Sequence, residues 1–193
     1  MRNVLADLAL EVEGSLALTM RLARALDAGG DAHEDALVRL LTGVGKYWIC
    51  KRTPQHAYEA MECIGGSGVM EDSPLPRLYR EAPVNAIWEG SGNVQCLDVL
   101  RAIERSPEVL DVFFEEVGRA RGADARLDAW VNELRRDLQR AASATPSDRE
   151  AVEFRARELV ERMALAAQSA LLVRQAPAAR LTRGQQVQVG AFH

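Results

Sequence analysis

The 193-residue sequence predicts an all-α fold, an antiparallel helical bundle, on three observations. Leucine and alanine dominate while aromatic residues make up only 5% of the chain, a balance that favours helix over sheet. Apolar residues recur in steps of three and four along most of the chain, the spacing that lines one face of a helix. No segment shows sustained alternation or β-branched enrichment, the marks of a strand. The length suffices for one core or for a domain with an extension.

Val4, Leu5, Leu8, Val12, Leu16, Thr19, Ala23 and Leu26 predict an amphipathic helix over residues 3–28, stopped by Gly29 and Gly30. Asp31 is placed to cap the next helix, over residues 34–63, through Leu37, Leu40, Leu41, Val44 and Trp48. Pro54 lies inside it and removes one backbone donor, so a kink or restart is expected near Thr53. Tyr47, Trp48 and Tyr58, spaced along this helix, read as core packing. Residues 75–84 form a short helix or turn, and a helix over residues 91–104 turns Val94, Leu97, Leu100 and Ile103 inward.

Ser106, Pro107 and Glu108 read as a fresh start: a capping hydroxyl, proline at the first helical position and acid in the first turn. Val109, Phe113 and Val117 face inward there, and Gly118 and Gly122 end the segment. Leu127, Trp130, Val131, Leu134 and Leu138 form the stripe of the next helix, to about Ala142. Ser147 with Glu150 reads as a capping box for a last helix over residues 148–173. Val152, Ala156, Leu159, Met163, Ala166 and Ala170 lie on one side of it. From Pro177 onward periodicity is lost and a frayed, disordered tail, residues 177–193, is expected.

A net charge of −4 supplies no global basic field to recruit nucleic acid. Cys50, Cys63 and Cys96 form no CxxC pair and read as reduced, partly buried thiols of a cytoplasmic protein. Asp7 interrupts the amino-terminal residues, which form neither a signal peptide nor a membrane span. His33, His56 and His193 have no metal-ligand spacing, so no metal is expected.

Residues 62–101 hold most of the unusual residue choices. Gly65, Gly66 and Gly68 end an apolar run, Pro74 and Pro76 follow, and Arg77, Tyr79 and Arg80 make a basic, aromatic turn. Then come Ile87, Trp88, Glu89, Gly90, Ser91, Gly92 and Asn93, a single carboxylate between a large aromatic and two glycines. GGSG ends a helix instead of following a strand, so it is no dinucleotide fingerprint. Glycine corners allow close approach of a ligand or another backbone, and they also simply stop helices.

This order of motifs resembles the carboxy-terminal region of the flavin-dependent acyl-CoA dehydrogenase family. There a helix ends in a GGxG turn, and an acidic link leads to a short arginine-containing helix. An aromatic-Glu-Gly motif then opens the final helix. The tryptophan at Trp88 and the wording around AYEAMECIGG and PVNAIWEGSGN are similar to the DNA-alkylation-response branch. The resemblance covers residues 1–105 as a carboxy-terminal bundle whose first helix is missing, and residues 106–176 as a helical extension.

The resemblance implies FAD as cofactor, an acyl-CoA substrate, and Glu89 as the carboxylate that removes the substrate α-proton while the β-hydrogen leaves as hydride. Such a proton is weakly acidic, so the base belongs in a dry pocket, to which Trp88 and Ile87 would contribute walls. It implies Ser91 and Asn93 beside the flavin, and Gly65 and Gly66 at the adenine end, in a turn lent by a neighbouring subunit. Glu62 stands where many members have Gln, and its charge would repel pyrophosphate. The bland reading of Glu89 is an acid at a helix amino terminus, stabilised by the dipole by about 0.3–1 kcal/mol.

The family's amino-terminal and β-domains are not in this sequence. The expectation is therefore a partial enzyme that does not hold FAD tightly alone and that associates with itself or with the missing domains. The alternative is a non-catalytic interaction or DNA-binding module. Arg135, Arg136, Arg140, Arg149, Arg155, Arg157 and Arg162 would face the phosphates. Asp137, Asp148, Glu150, Glu153, Glu158 and Glu161 are interleaved with them, the pattern of a solvated helix face.

Overall fold

The computed structural model describes residues 1–145 and 147–176, and every regular element among them is helical. The order is α1 (Arg2–Asp27), α2 (Ala32–Ile64), a 3-10 turn (Gly65–Val69), α3 (Leu75–Asn85), α4 (Gly92–Arg105), α5 (Glu108–Gly118), α6 (Ala125–Ala142), α7 (Arg149–Phe154) and α8 (Ala156–Gln175). The bundle is organised around α2, which packs against α1, α3, α4, α5 and α8. Leu37, Leu40, Leu41, Val44, Tyr47 and Trp48 of α2 are all buried. One hydrophobic core runs without interruption from Leu18 and Leu37 through Ile103 and Phe113 to Leu134, Leu138, Leu159 and Met163. The helices that follow Arg105 therefore share the core of those before it. The expected tail, residues 177–193, lies outside the described residues.

Asp31 caps α2 as expected, its Oδ1 accepting from the amides of His33 (2.8 Å) and Glu34 (3.3 Å). α2 runs through Pro54 with no restart, and Thr53 braces that turn by donating its hydroxyl to the Ile49 carbonyl at 2.7 Å. Tyr47 and Trp48 are core residues, but Tyr58 is exposed. Val94 and Trp130 also face outward, each at the edge of its helix's apolar arc.

Three helix starts differ from expectation. Pro107 is itself the cap of α5, and no side chain closes that end. The capping box at Ser147 does not form: α7 has no side-chain cap, and the Ser147 hydroxyl pairs with that of Thr145 at 2.7 Å. The last helix is two helices, because the chain breaks step at Arg155. Arg155 is held by Glu158 at 2.9 Å and lies 3.7 Å from Asp137. The change of direction leaves Phe154 at 90% exposed and Ala156 fully buried.

The largest difference is in α1, which is apolar on two opposite sides. Gly14, Ala17, Leu18, Arg21 and Ala25 are buried, a face of mostly small residues that a search for large apolar spacing passes over. A Cβ at Gly14 would come within 3.3 Å of the Gln168 side chain, so small residues here let α8 approach. The larger stripe read from the sequence, including Leu5, Val12, Leu16 and Leu26, stays open to solvent together with Met20. Exposed apolar strips of this kind find partners. Light scattering on the chain is expected to show self-association that grows with concentration, and a monomer throughout would refute this.

A buried ionic cluster joins the helices. Arg21 donates to both carboxylate oxygens of Glu34 (2.7 and 3.0 Å) and to Glu116 (2.9 Å). Glu116 also accepts from Arg119 (2.8 Å) and Arg174 (2.7 Å). α1, α5 and α8 thus meet at the Glu116 carboxylate, and Arg21 extends the cluster to α2 through Glu34.

Candidate functional site

The link from α3 to α4 is a corner whose backbone carbonyls are gathered by two side chains. Lys46, on α2, donates its ammonium to the carbonyls of Asn85 (3.2 Å), Trp88 (2.7 Å) and Gly90 (3.2 Å). Gln95, one turn into α4, donates Nε2 to the carbonyls of Glu89 (2.7 Å) and Gly90 (3.3 Å). The sequence reading missed Lys46; its signal was a lone cation in the apolar run LLTGVGKYWIC.

Glu89 is the one non-glycine residue with positive φ, 54°, among the described residues. That conformation costs a non-glycine residue on the order of 1–3 kcal/mol and clusters at functional sites. Gly90 follows with φ 99°, a conformation that calls for glycine, and a Cβ there would meet Gln95 Nε2 at 2.6 Å and push that side chain off its carbonyls. Glu89 lies ahead of α4, whose cap is Ser91 and whose first turn holds no acid. The reading of Glu89 as a helix-opening acid is therefore replaced by that of a strained residue in the corner.

Ser91 caps α4 through its backbone alone, its hydroxyl making no cap bond, and Asn93 is exposed on the first turn. Glu89, Ser91 and Asn93 are all exposed. Ile87 and Trp88 do not enclose the carboxylate: they are 65% and 59% exposed.

Gly65 and Gly66 lie elsewhere. Gly65 ends α2 with φ 69°, while Gly66 has neither a positive φ nor a neighbour within 4 Å of where a Cβ would stand. Nothing among the described residues requires glycine at Gly66, which leaves room beside that turn for an outside group. From Lys46 to Gly65 is 19 residues of α2, about 29 Å along the helix axis.

Around the glycine turn, Tyr58 and Tyr79 stand 6.0 Å apart, and a hydrogen bond to Glu62 pushes the Tyr58 phenol up. The basic turn is ion-paired: Arg80 grips Glu71 at 2.7 and 3.1 Å, holding its carboxyl below the ordinary value, and Arg77 pairs with Glu81. Ion pairs also engage four of the seven arginines named above as phosphate-facing. Arg140 and Arg162 pair with Asp137, Arg155 with Glu158 and Arg149 with Glu104. Arg135 stacks on Phe114. Phosphate binding on that face would have to displace these partners. Cys96 is buried, and loss of solvent pushes its thiol up to about 12, which removes it as a nucleophile. Among the described residues no helix is long and apolar enough to cross a membrane.

The family profile described as acyl-CoA dehydrogenase, C-terminal domain, matches residues 1–104. AidB of Escherichia coli K12, named as an acyl-CoA dehydrogenase, is 49% identical over 142 residues, which cover 74% of this chain and 26% of AidB. Acyl-CoA dehydrogenase family member 11 of Caenorhabditis elegans is 31% identical over 89% of this chain and 30% of its own length. The crystal structure of C. elegans ACDH-11 in complex with C11-CoA matches the fold with a TM-score of 0.73 over 89% of this chain and 31% of that one. The apo form of Bd2924 also gives 0.73, at 27% identity, over 89% of this chain and 32% of its own. The chain spans between a quarter and a third of the length of these relatives.

Proposed function

The chain belongs to the acyl-CoA dehydrogenase family, and on that premise we propose that it forms the proton-abstracting wall of a flavin-dependent oxidoreductase. The reaction is oxidation of the CH–CH bond of an acyl-CoA thioester, with Glu89 as the base. The observation that carries this reading is the left-handed backbone at Glu89, a strain that no cap or ion pair of the corner accounts for. Bound flavin supplies the acceptor for the substrate's β-hydrogen. The Glu89 carboxylate takes the α-proton from the same substrate, and the Ser91 hydroxyl and Asn93 amide face the flavin.

Gly65 and Gly66 serve the adenine end of the cofactor held by a second copy, a role supported by the open space at Gly66. The remaining walls come from further domains of the enzyme or from partner subunits. The exposed Ile87 and Trp88 are then part of the surface those walls cover, which supplies the dryness a carbon acid demands. A cytoplasmic homo-oligomer is the assembly this arrangement implies.

The test is anaerobic bleaching of flavin by an acyl-CoA once the chain is joined to the family's other domains. A flavin-replete assembly that no acyl-CoA bleaches would overturn the proposal. The chain alone is expected to purify with far less than stoichiometric flavin. The Glu89 surface is open, and the clefts between α4, α6 and α7 and between α2, α4 and α5 enclose about 110 and 260 Å³. Ligand pockets run to roughly 300–1,000 Å³. A yellow preparation with near-equimolar flavin by absorbance would contradict this.

A further inference from the structure

Resting on the proposed role of Glu89, we infer that Lys46 is a positioning residue, fixing the direction of the Glu89 side chain by pinning the backbone on either side of it. The direction of a side chain follows the planes of its two flanking peptides. The peptide before Glu89 carries the Trp88 carbonyl, held by Lys46 at 2.7 Å. The peptide after it carries the Glu89 carbonyl, held by Gln95 at 2.7 Å. The next carbonyl, of Gly90, is held by both.

A left-handed glutamate relaxes most simply by turning one of these peptides over, which would swing its carbonyl away from its donor. Lys46 opposes that with all three of its N–H groups, in hydrogen bonds strengthened by its charge. Its third bond, to the Asn85 carbonyl at 3.2 Å, ties the corner to the end of α3. The clamp is thus anchored on α2, the helix the bundle is organised around, and reaches the residues before and after the strained position. Gln95 completes it from α4.

The experiment has two arms. In the chain alone, Lys46→Met keeps the length of the side chain and removes its donors. The Ile87 and Trp88 amides, which bond to the Val84 carbonyl at 3.0 and 3.1 Å, should exchange hydrogen at least tenfold faster, with the amides of α1 unchanged. Lys46→Arg, which retains donors, should stay within about threefold of the unmodified chain. In the flavin-loaded assembly, Lys46→Met should slow flavin reduction at saturating acyl-CoA about 100-fold with KM little changed. Added to Glu89→Gln it should cost nothing more, since the two act through one group.

Unchanged exchange at Ile87 and Trp88 overturns the inference whether or not the assembly is active. Faster exchange in an active assembly that Lys46→Met does not slow also overturns it. Faster exchange combined with an unmodified assembly that reduces no flavin supports the clamp and sinks only the enzymatic reading. If Lys46→Met does not fold by circular dichroism, Lys46→Gln, which leaves one amide donor group in place of the ammonium, gives the same comparison at the same position.

Discussion

Glu89→Gln is expected to abolish acyl-CoA-dependent flavin reduction in the assembled enzyme while leaving the fold intact. Amide replaces carboxylate at nearly the same volume, so the corner keeps its shape and loses its proton acceptor. General bases contribute about 10²–10⁴ in rate, and so weak a carbon acid places the loss at the upper end or beyond, roughly 5 kcal/mol of barrier. Stability should barely move. The residue lies outside α4 and supplies no cap bond, and both side chains carry a similar cost at φ 54°. The measurement is the anaerobic bleaching rate, with circular dichroism as control. Bleaching at the unmodified rate would mean that the base lies elsewhere.

Glu116→Ala should destabilise the chain by about 3–5 kcal/mol, the usual penalty for breaking a buried ion pair from one side. Its partner Arg21 is 7% exposed, and the Arg21 Nε already lacks a hydrogen-bond partner. Removing Glu116 leaves that guanidinium with Glu34 alone. Arg119→Met should cost under about 1 kcal/mol, because its side chain is 42% exposed and Glu116 keeps Arg21 and Arg174 as partners. Urea unfolding of both variants separates the two cases; equal losses would mean that burial is not what sets the penalty.

The same site links stability to pH. Burial alone would push the Glu116 carboxyl up, but hydrogen bonds from Arg21 and Arg174 and the charges of Arg21 and Arg119 outweigh it and hold the group below its ordinary value. A carboxylate depressed in the folded state contributes stability above its unfolded pKa, near 4.3 for glutamate, and loses it as pH falls through the folded value. The gap between the unmodified chain and Glu116→Ala should therefore be full at neutral pH and narrow below about pH 4.

Most helices were legible because they carry a periodic apolar face, which in α1 turned out to face solvent, and Asp31 was legible as a cap because a short acid before a periodic run has one common use. The cluster at Glu116 was not legible. Glu116 lies in the run VFFEEVG and Arg21 in LTMRLARAL, 95 positions apart, and only the packing of α1 against α2 and α8 closes that distance. The break at Arg155 carries no glycine or proline to announce it. Glu89 was singled out by its place in a motif, but its left-handed backbone was hidden, since glutamate is not a residue that turns favour. Lys46 was hidden for another reason: its partners are backbone carbonyls, which no sequence pattern marks.

The unbroken run of α2 also sets which insertions and deletions the chain tolerates. Its 33 residues make a rod about 50 Å long, in which each added residue advances the far end by about 1.5 Å and turns it by about 100°. One residue inserted between Lys46 and Gly65 would rotate the glycine turn away from the face it now occupies and carry Ala57 and Met61 out of the core. Seven residues would nearly restore the phase, at about 20° of error, but would lengthen the rod by about 10 Å. The spacing between the corner and the glycine turn is therefore fixed in angle as well as in length. Changes in chain length are confined to the links between helices, and α2 is open only to substitution.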